Sequence, residues 1–311
     1  MDNDAKLLQK ARDLYKGLRF GWRYRGVPVM DAAAGNDYIA QCIRWGHPFY
    51  AGRCGATEMR CMAEYLAAKN PADTGDEGRF SPKIRAEMRN LSGMFPTDDA
   101  TLARFCEVYA DAAHGADLLA LWDVGAEREV IRGCGEDTRF TKLRALEPYY
   151  YAGPWTAALA GKRVLVVHPF AETIRRQYAR REQLFQNPEV LPEFASLRVV
   201  PAVQGLGGQE TGYATWFDAL DWMKRQIAAE PFDVAVIGAG AYGLPLAAYC
   251  ARDLRRQAVQ MAGATQLLFG IRGKRWDSHP VISKLYNDAW VRPGDSEGIR
   301  NKDAVEGGSY W

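Results

Sequence analysis

Histidine and cysteine are scarce in this 311-residue chain, and neither stands in a metal-binding pattern. The sequence has 4 His and 6 Cys, with no C-x-x-C pair and no Cys/His cluster at the spacing of zinc ligands. Scattered cysteines of this kind are typical of free thiols in a reducing compartment. The sequence therefore predicts free cysteines and gives no indication of a structural zinc site.

An excess of charge and long apolar runs are also missing. Lys and Arg total 40 and Asp and Glu 38, a net charge of +2, which lacks the basic footprint of a nucleic-acid-binding protein. The apolar runs are shorter than the roughly 18 residues of a membrane span, and residues 1–17 lack the apolar core of a secretory signal. We therefore expect a cytoplasmic protein without nucleic-acid partners. Peripheral contact with the inner face of the cytoplasmic membrane and homo-oligomer formation stay open.

The composition that is present suits one or two globular domains, with 48% hydrophobic and 25% charged residues. Residues 151–311 alternate short apolar strands with helices, which predicts a Rossmann-like, mostly parallel sheet with helices on both faces. Residues 1–150 are predicted to be largely helical apart from one extended segment at 48–53. We divide the chain into 1–150 and 151–311, two parts that can also form a single compact domain.

A glycine-rich turn, GAGAYG at 238–243, joins a predicted strand to a predicted helix. Its spacing matches the G-x-G-x-x-G fingerprint of dinucleotide-binding proteins. The acidic residue that should follow about 20 residues later is missing, because residues 260–263 read QMAG. A helix start near Gly240 and Gly243 still favours an anion, so we predict a diphosphate there. An NAD(P)-dependent enzyme is the less favoured alternative.

A second strand–turn–helix unit, at 49–62, reads FYAGRCGATEMRCM. Gly55 permits a tight turn, and Arg53 and Glu58 flank it. An arginine holds phosphate oxygens in a planar fork, and a carboxylate binds a divalent cation or a sugar hydroxyl. Residue types alone favour a plainer alternative, an Arg53–Glu58 ion pair with the glutamate at a helix start.

His168 directly follows the predicted strand at 164–167, in the position where ligands bind to open α/β sheets. A histidine there can donate to a phosphate or act as a general acid or base, and Glu172 on the next helix is a second candidate base. The alternative is a histidine that only caps the strand. The glycine-rich loop at 204–209 lies on the same rim, either as a second ligand contact or as a flexible connection.

The irregular segment after residue 262 gathers cations and aromatic rings, as a site for a nucleotide or sugar diphosphate would. The alternative is a solvated basic loop. A similar stretch at 19–25, RFGWRYR, favours either a packed arm or contact with an anionic membrane. The residues singled out in the later segment are Gln266, Arg272, Lys274, Arg275 and Trp276.

The segment FYAGRCGATE, at 49–58, resembles the R-x-G-D-x-E segment of GT-D-type glycosyltransferases, and residues 234–263 resemble their second strand–helix–strand unit. VLVVHPFAETI, TWFDALDWM and VEGGSYW, all within 160–311, resemble segments of bacterial proteins from polysaccharide and O-antigen gene clusters. The resemblance implies a GT-D-like fold. It also implies transfer of a sugar from a nucleotide-diphosphate donor to a surface-polysaccharide or lipid-linked acceptor.

One position departs from the family pattern, because Ala56 stands where the family has the Asp of Asp-x-Glu, while Glu58 matches the Glu. A single carboxylate is a poor site for Mn²⁺ or Mg²⁺, so a metal requirement stays open, with Glu58 as the protein ligand if one binds. The departure also supports an alternative function, a non-catalytic nucleotide-sugar or glycan-binding partner in an assembly complex. The predicted catalytic residues are Glu58, His168 and Glu172. The predicted donor-binding residues are Arg53, Gly55, Gly240, Gly243, Gln266, Arg272, Lys274 and Trp276.

Overall fold

One open sheet of parallel strands runs through the part of the chain that this computed structural model describes, residues 14–68 and 80–311. Its eight strands are β1 (Val29–Met30), β2 (Phe49–Gly52), β3 (Leu118–Leu121), β4 (Arg139–Lys142), β5 (Arg163–His168), β6 (Ser196–Pro201), β7 (Val234–Ile237) and β8 (Gln257–Gln260). They lie in the order β1-β4-β3-β2-β8-β7-β5-β6, and each neighbouring pair is parallel. The predicted α/β class and Rossmann-like parallel sheet are confirmed.

Helices cover both faces of this sheet. Those in the described residues are α1 (14–23), α2 (Ala32–Trp45), α3 (Ala56–Ala68), α4 (Pro82–Leu91), α5 (Asp99–His114), α6 (Glu127–Val130), α7 (Ala171–Tyr178), α8 (Trp216–Ala228), α9 (Gly243–Arg252) and α10 (Thr265–Leu268). Alternate side chains of β5 enter different cores. Leu165 belongs to the core to which α5, α8 and α9 contribute, whereas Val166 belongs to the core to which α2 and α7 contribute. In the described ranges, no helix is both long and apolar enough to cross a bilayer.

Capping residues set several of the helix starts. The Ser81 side chain accepts the N–H of Ile84 at the start of α4, and Pro82 occupies the first helical position. Asp98 caps α5 in the same way. These two starts are visible in the sequence because each cap satisfies backbone donors that the helix itself leaves unpaired.

The first 150 residues are less helical than the sequence predicts, because they also contribute β1 to β4. Of these strands, only β2 is predicted. The missed strand β3 reads LLAL, residues that favour helix, and it follows α5 after residues 115–117. Pairing with β4 on one side and β2 on the other overrides that local preference. Because β2 also pairs with β8, through contacts such as Ala51 with Val259, a single sheet spans the boundary at residue 150.

Candidate functional site

The chain reverses its direction of winding between β5 and β7. From β5 it passes through α7 to β6 on one side, and from β7 it passes through α9 to β8 on the other. In open α/β sheets, ligands bind beyond the carboxyl ends of the strands at such a reversal. His168 ends β5 and Gly238 follows β7, so both stand at this point.

Two adjoining cavities open at this edge of the sheet, and we call them together the edge cleft. The smaller cavity, with a volume of about 70 Å³, is lined by His168, Gln204, Gly238 and Gln266 among others. The larger cavity, with a volume of about 110 Å³, lies beyond the ends of β2 and β8. The residues common to both are Leu91, Gly240, Gly263 and Tyr310. The larger cavity is also lined by Arg53, Gly55, Glu58, Tyr109, Trp122, Gln260 and Arg275.

His168 is held as a neutral hydrogen-bond donor. Its Nδ1 accepts the backbone N–H of Phe170 at 3.0 Å, and the side chain is 3% exposed. Burial lowers the pKa of the imidazole to about 3, so at neutral pH it carries its proton on Nε2. Nε2 has no hydrogen-bond partner in the described part of the chain. The ring therefore suits donation to a ligand oxygen better than acid–base chemistry near pH 7.

Glu58 lies in the first turn of α3, and its carboxylate is almost fully buried. One carboxylate oxygen, Oε1, accepts a hydrogen bond from Ser92 Oγ at 2.8 Å. The other, Oε2, lies where a side chain on residue 55 would be, so a Cβ at Gly55 would collide with it. The N–H of Gly55 donates to the buried Tyr109 hydroxyl at 3.0 Å. Gly55 is thus the residue that leaves room for the Glu58 carboxylate at the cleft.

Arg53 does not pair with Glu58, and within residues 14–68 and 80–311 its guanidinium forms no ion pair and donates instead to the carbonyl of Cys54 at 3.1 Å. Its guanidinium lies over the Trp122 ring at 4.9 Å from the centroid, and its backbone N–H donates to Gln260 Oε1 at 2.8 Å. Trp122 is itself fixed by a 2.8 Å hydrogen bond from Nε1 to the carbonyl of Cys54. The ion pair of the plainer alternative is therefore wrong, whereas its placement of Glu58 at a helix start is confirmed. Among the described residues, the Arg53 cation lines the cleft without a carboxylate partner.

The C-terminal segment closes the cleft from the opposite side. Gln266 is buried, and its Nε2 donates to the carbonyls of Ile271 and Tyr310 at 3.2 and 3.1 Å. Arg275 lines the larger cavity, stacks on Tyr310 at 5.3 Å and lies 3.5 Å from a Glu306 oxygen. Gln266 therefore anchors the chain end, and Arg275 is the cation of this segment that reaches the cleft.

The glycine-rich turn after β7 places only part of itself at the cleft. Gly240 has a φ of +54°, and a Cβ on it would meet open space, so a ligand can approach this backbone closely. Gly243 begins α9 inside the protein, where a Cβ would come within 2.9 Å of Gln260 Cγ. Gly243 thus allows α9 to pack closely against Gln260, and Gly240 is the part of the turn that is exposed at the cleft.

Four other residues that the sequence predicts to be catalytic or donor-binding do not line either cavity of the edge cleft. Glu172 is exposed on α7 and pairs with Arg175. Lys274 donates to the carbonyl of Gly307 at 3.1 Å, and Arg272 lies over the Tyr286 ring. Trp276 packs against Arg275 and Tyr310 rather than facing the cleft.

A carboxyl that the sequence did not single out, Glu147, belongs to the electrostatics of the cleft. Burial raises its pKa to about 7, and the positive charges of Arg144, Arg53 and Arg275 act in the opposite direction. Glu147 follows β4 and so lies on the carboxyl side of the sheet. A prediction of β4 as a strand would have placed Glu147 at the carboxyl edge of the sheet.

The residues present do not fit a protein-held metal ion. In the parts of the chain that the structure describes, no three His, Cys, Asp or Glu side chains are grouped to hold one. Residue 56 is alanine, and Glu58 Oε1 is already bonded to Ser92. The other acidic side chain that lines the larger cavity, Glu306, lies 3.5 Å from Arg275. Divalent-metal sites on diphosphates use one or two carboxylates with phosphates and waters, so any cation here would be held chiefly by the ligand.

No protein-family model, no curated protein and no solved structure was found to match this chain. The resemblance of residues 49–58 and 234–263 to GT-D-type enzymes therefore stays a prediction.

Proposed function

We propose that this protein is a glycosyltransferase that moves a sugar from a nucleotide-diphosphate donor to a surface-glycan or lipid-linked acceptor. The observation that carries the proposal is the edge cleft at the reversal of the sheet, which combines a neutral imidazole donor with two arginines. Ligands of open α/β sheets bind at that place. Polar donors and cations around a small cavity suit a diphosphate better than an apolar ligand.

The donor diphosphate lies between His168, Gly240 and Arg275. His168 Nε2–H donates to a phosphate oxygen, and the exposed backbone of Gly240 lets the phosphates approach. Arg53 and Arg275 line the neighbouring cavity, where negative charge grows as the diphosphate leaves. Charge stabilisation of this kind is usually the largest single contribution to catalysis.

The acceptor reacts at the Arg53 side of the cleft. The acceptor oxygen forms a bond to the anomeric carbon of the donor, the bond from that carbon to the diphosphate breaks, and the nucleoside diphosphate leaves with the electron pair. The hydroxyl proton passes to the carboxylate of Glu58, which lines the cavity beside Arg53. The Ser92 hydroxyl donates to Glu58 Oε1 and so holds this carboxylate in place. Glu172 is set aside because it faces solvent.

Calorimetric titration with uridine, guanosine, cytidine and adenosine diphosphates tests the proposal, each with and without Mn²⁺. We expect micromolar binding of at least one of them, and binding that persists without Mn²⁺ because the cleft supplies its own cations. Failure of all four to bind or to raise the melting temperature would remove the donor site and with it the proposed function.

A non-catalytic nucleotide-sugar-binding partner is the second candidate, and the alanine at position 56 favours it. It shares the donor site but not the chemistry. Release of free sugar or transfer to an acceptor by the wild type, with loss of that turnover in Glu58→Gln while donor binding is retained, would distinguish the enzyme from the binding partner.

A further inference from the structure

Helix α1 presents its apolar side chains to solvent rather than to the protein. Leu14, Leu18 and Trp22, spaced four residues apart, are 66%, 67% and 79% exposed, and Tyr15 beside them is 65% exposed. Residues at this spacing share one face of a helix. A surface helix normally turns such a stripe toward the core, and a contiguous exposed apolar patch marks an interaction surface.

The opposite side of α1 and the turn that follows fix this orientation. Tyr24 is buried, and its hydroxyl donates to the carboxylate of Glu127. Arg19 and Arg23 both form ion pairs with Asp123, each at 2.8 Å. The polar and aromatic inner side is therefore bound to the segment after β3, and the apolar side can face only outward.

The charges around the stripe select its partner. Residues 14–25 contain four cations and no acidic residue. Two of the four pair with Asp123, whereas the exposed side chains of Lys16 and Arg25 have no partner among the residues described. Leucines, interfacial Trp and Tyr, and free cations together are the composition of a helix that lies in the surface of an anionic bilayer. A symmetric contact with a second copy would bring these cations near their own equivalents.

We propose that α1 is an interfacial anchor that binds an anionic lipid bilayer through Leu14, Tyr15, Leu18 and Trp22. Asp123, which holds α1, directly follows Trp122, which lines the edge cleft. Binding of α1 to a bilayer therefore brings the cleft close to the lipid headgroups. The consequence that the acceptor is lipid-linked rests on the proposed function, whereas bilayer binding itself does not.

Flotation of the full chain with vesicles, without nucleotide, tests the anchor. We expect binding to vesicles of phosphatidylglycerol and phosphatidylcholine, little binding to phosphatidylcholine alone, and a blue shift of tryptophan emission. The double variant Leu18→Ser/Trp22→Ser should lose more than tenfold in partition, and Lys16→Glu about fivefold. Trp45→Ser is the matched control, because Trp45 is 58% exposed elsewhere and its loss should leave partition unchanged.

Two outcomes would overturn the anchor. One is equal partition of wild type and Leu18→Ser/Trp22→Ser, with circular dichroism melts showing that both are folded. The other is a wild-type dimer in light scattering that the double variant converts to a monomer without any binding to vesicles, which would assign the stripe to a second copy. Because the vesicle assay contains no nucleotide, its failure and the failure of donor binding are separate results.

Discussion

Two basic segments reach the same edge of the sheet and use their charges differently. In the turn after β2, Arg53 lies over Trp122, has no carboxylate partner in the described part of the chain, and lines the edge cleft. In the segment 272–276, three cations stand within four positions, but only Arg275 reaches the cleft. Lys274 is bonded to the chain end, and Arg272 lies over Tyr286. A cluster of cations in a sequence is therefore a weaker indicator of a site than one cation fixed by a strand end.

The largest expected effect is the loss of donor affinity in Arg53→Met. Removal of a cation that faces the diphosphate should weaken nucleoside-diphosphate binding about 10- to 100-fold, since charge-assisted hydrogen bonds contribute about 1.5–3 kcal/mol. Calorimetric titration measures this loss. The matched control Lys274→Met removes the same charge outside the cleft and should change the affinity less than twofold. Equal losses in the two variants would mean that only net charge matters and that the contrast between the segments is not real.

The next effect concerns the glycine that leaves room for Glu58. In Gly55→Ala the new methyl group displaces the carboxylate and breaks its bond to Ser92, which should lower the free energy of unfolding by about 1–3 kcal/mol. Urea denaturation measures the change. The double variant Gly55→Ala/Glu58→Ala should recover part of that loss because the colliding group is gone. An additive loss in the double variant would show that Gly55 matters for another reason.

A smaller effect follows from Glu147, whose folded-state pKa of about 7 lies above its ordinary value of 4.5. Between these two pH values the folded protein binds more protons than the unfolded chain, so this group makes stability fall as pH rises through that window. The full difference of about 2.5 pH units corresponds to about 3 kcal/mol, and solvent screening of the partly exposed side chain reduces it. Glu147→Gln should therefore be more stable than wild type by about 1–2 kcal/mol at pH 8, and nearly equal to it at pH 4.5. Melting temperatures across this range measure the difference. A constant difference at all pH values would show that the effect does not come from ionisation.

The smallest effect is expected for Arg272→Met. The Nε of Arg272 is buried without a hydrogen-bond partner among the described residues, and the guanidinium stacks on Tyr286. The variant loses the stabilising contact with the Tyr286 ring, but it also removes a buried N–H group that has no acceptor among the described residues. Because these two effects act in opposite directions, the free energy of unfolding should change by less than about 0.5 kcal/mol. Donor affinity should stay within twofold of wild type. A large loss of affinity would bring Arg272 back to the donor site.

The strands of the second half could be read from the sequence because they are β-branched runs bounded by turns. Val164 to Val167 and Val234 to Ile237 are of this kind, and the structure places them in β5 and β7. The LLAL run of β3 could not be read in this way, since leucine and alanine favour helix and only its two neighbours make it a strand. Strand β4 was not predicted either, and so the position of Glu147 beyond its carboxyl end was not predicted.

The residues predicted for the candidate site differ in the same way, because strand ends could be predicted from local sequence and side-chain directions on helices could not. Residues at strand ends that were predicted from local sequence, His168 and Arg53, do line the edge cleft. Glu172 was predicted from its distance along the chain to His168, and it faces solvent because its position on α7 turns it outward. The pattern of residues indicates which strands end near one another, but it does not fix the direction of a side chain on the helix that follows.

The sequence by itself determined the parallel α/β class, the strand-end positions of Arg53 and His168 and the alanine at position 56. Only the tertiary structure decided which cations reach the cleft, that Arg53 and Glu58 do not pair, and that α1 turns an apolar face outward. The physical reason is that strand ends follow from local hydrophobic patterns. Partners of charged groups depend on segments far apart in the chain, such as Arg53 with Trp122, that meet only when the sheet has assembled.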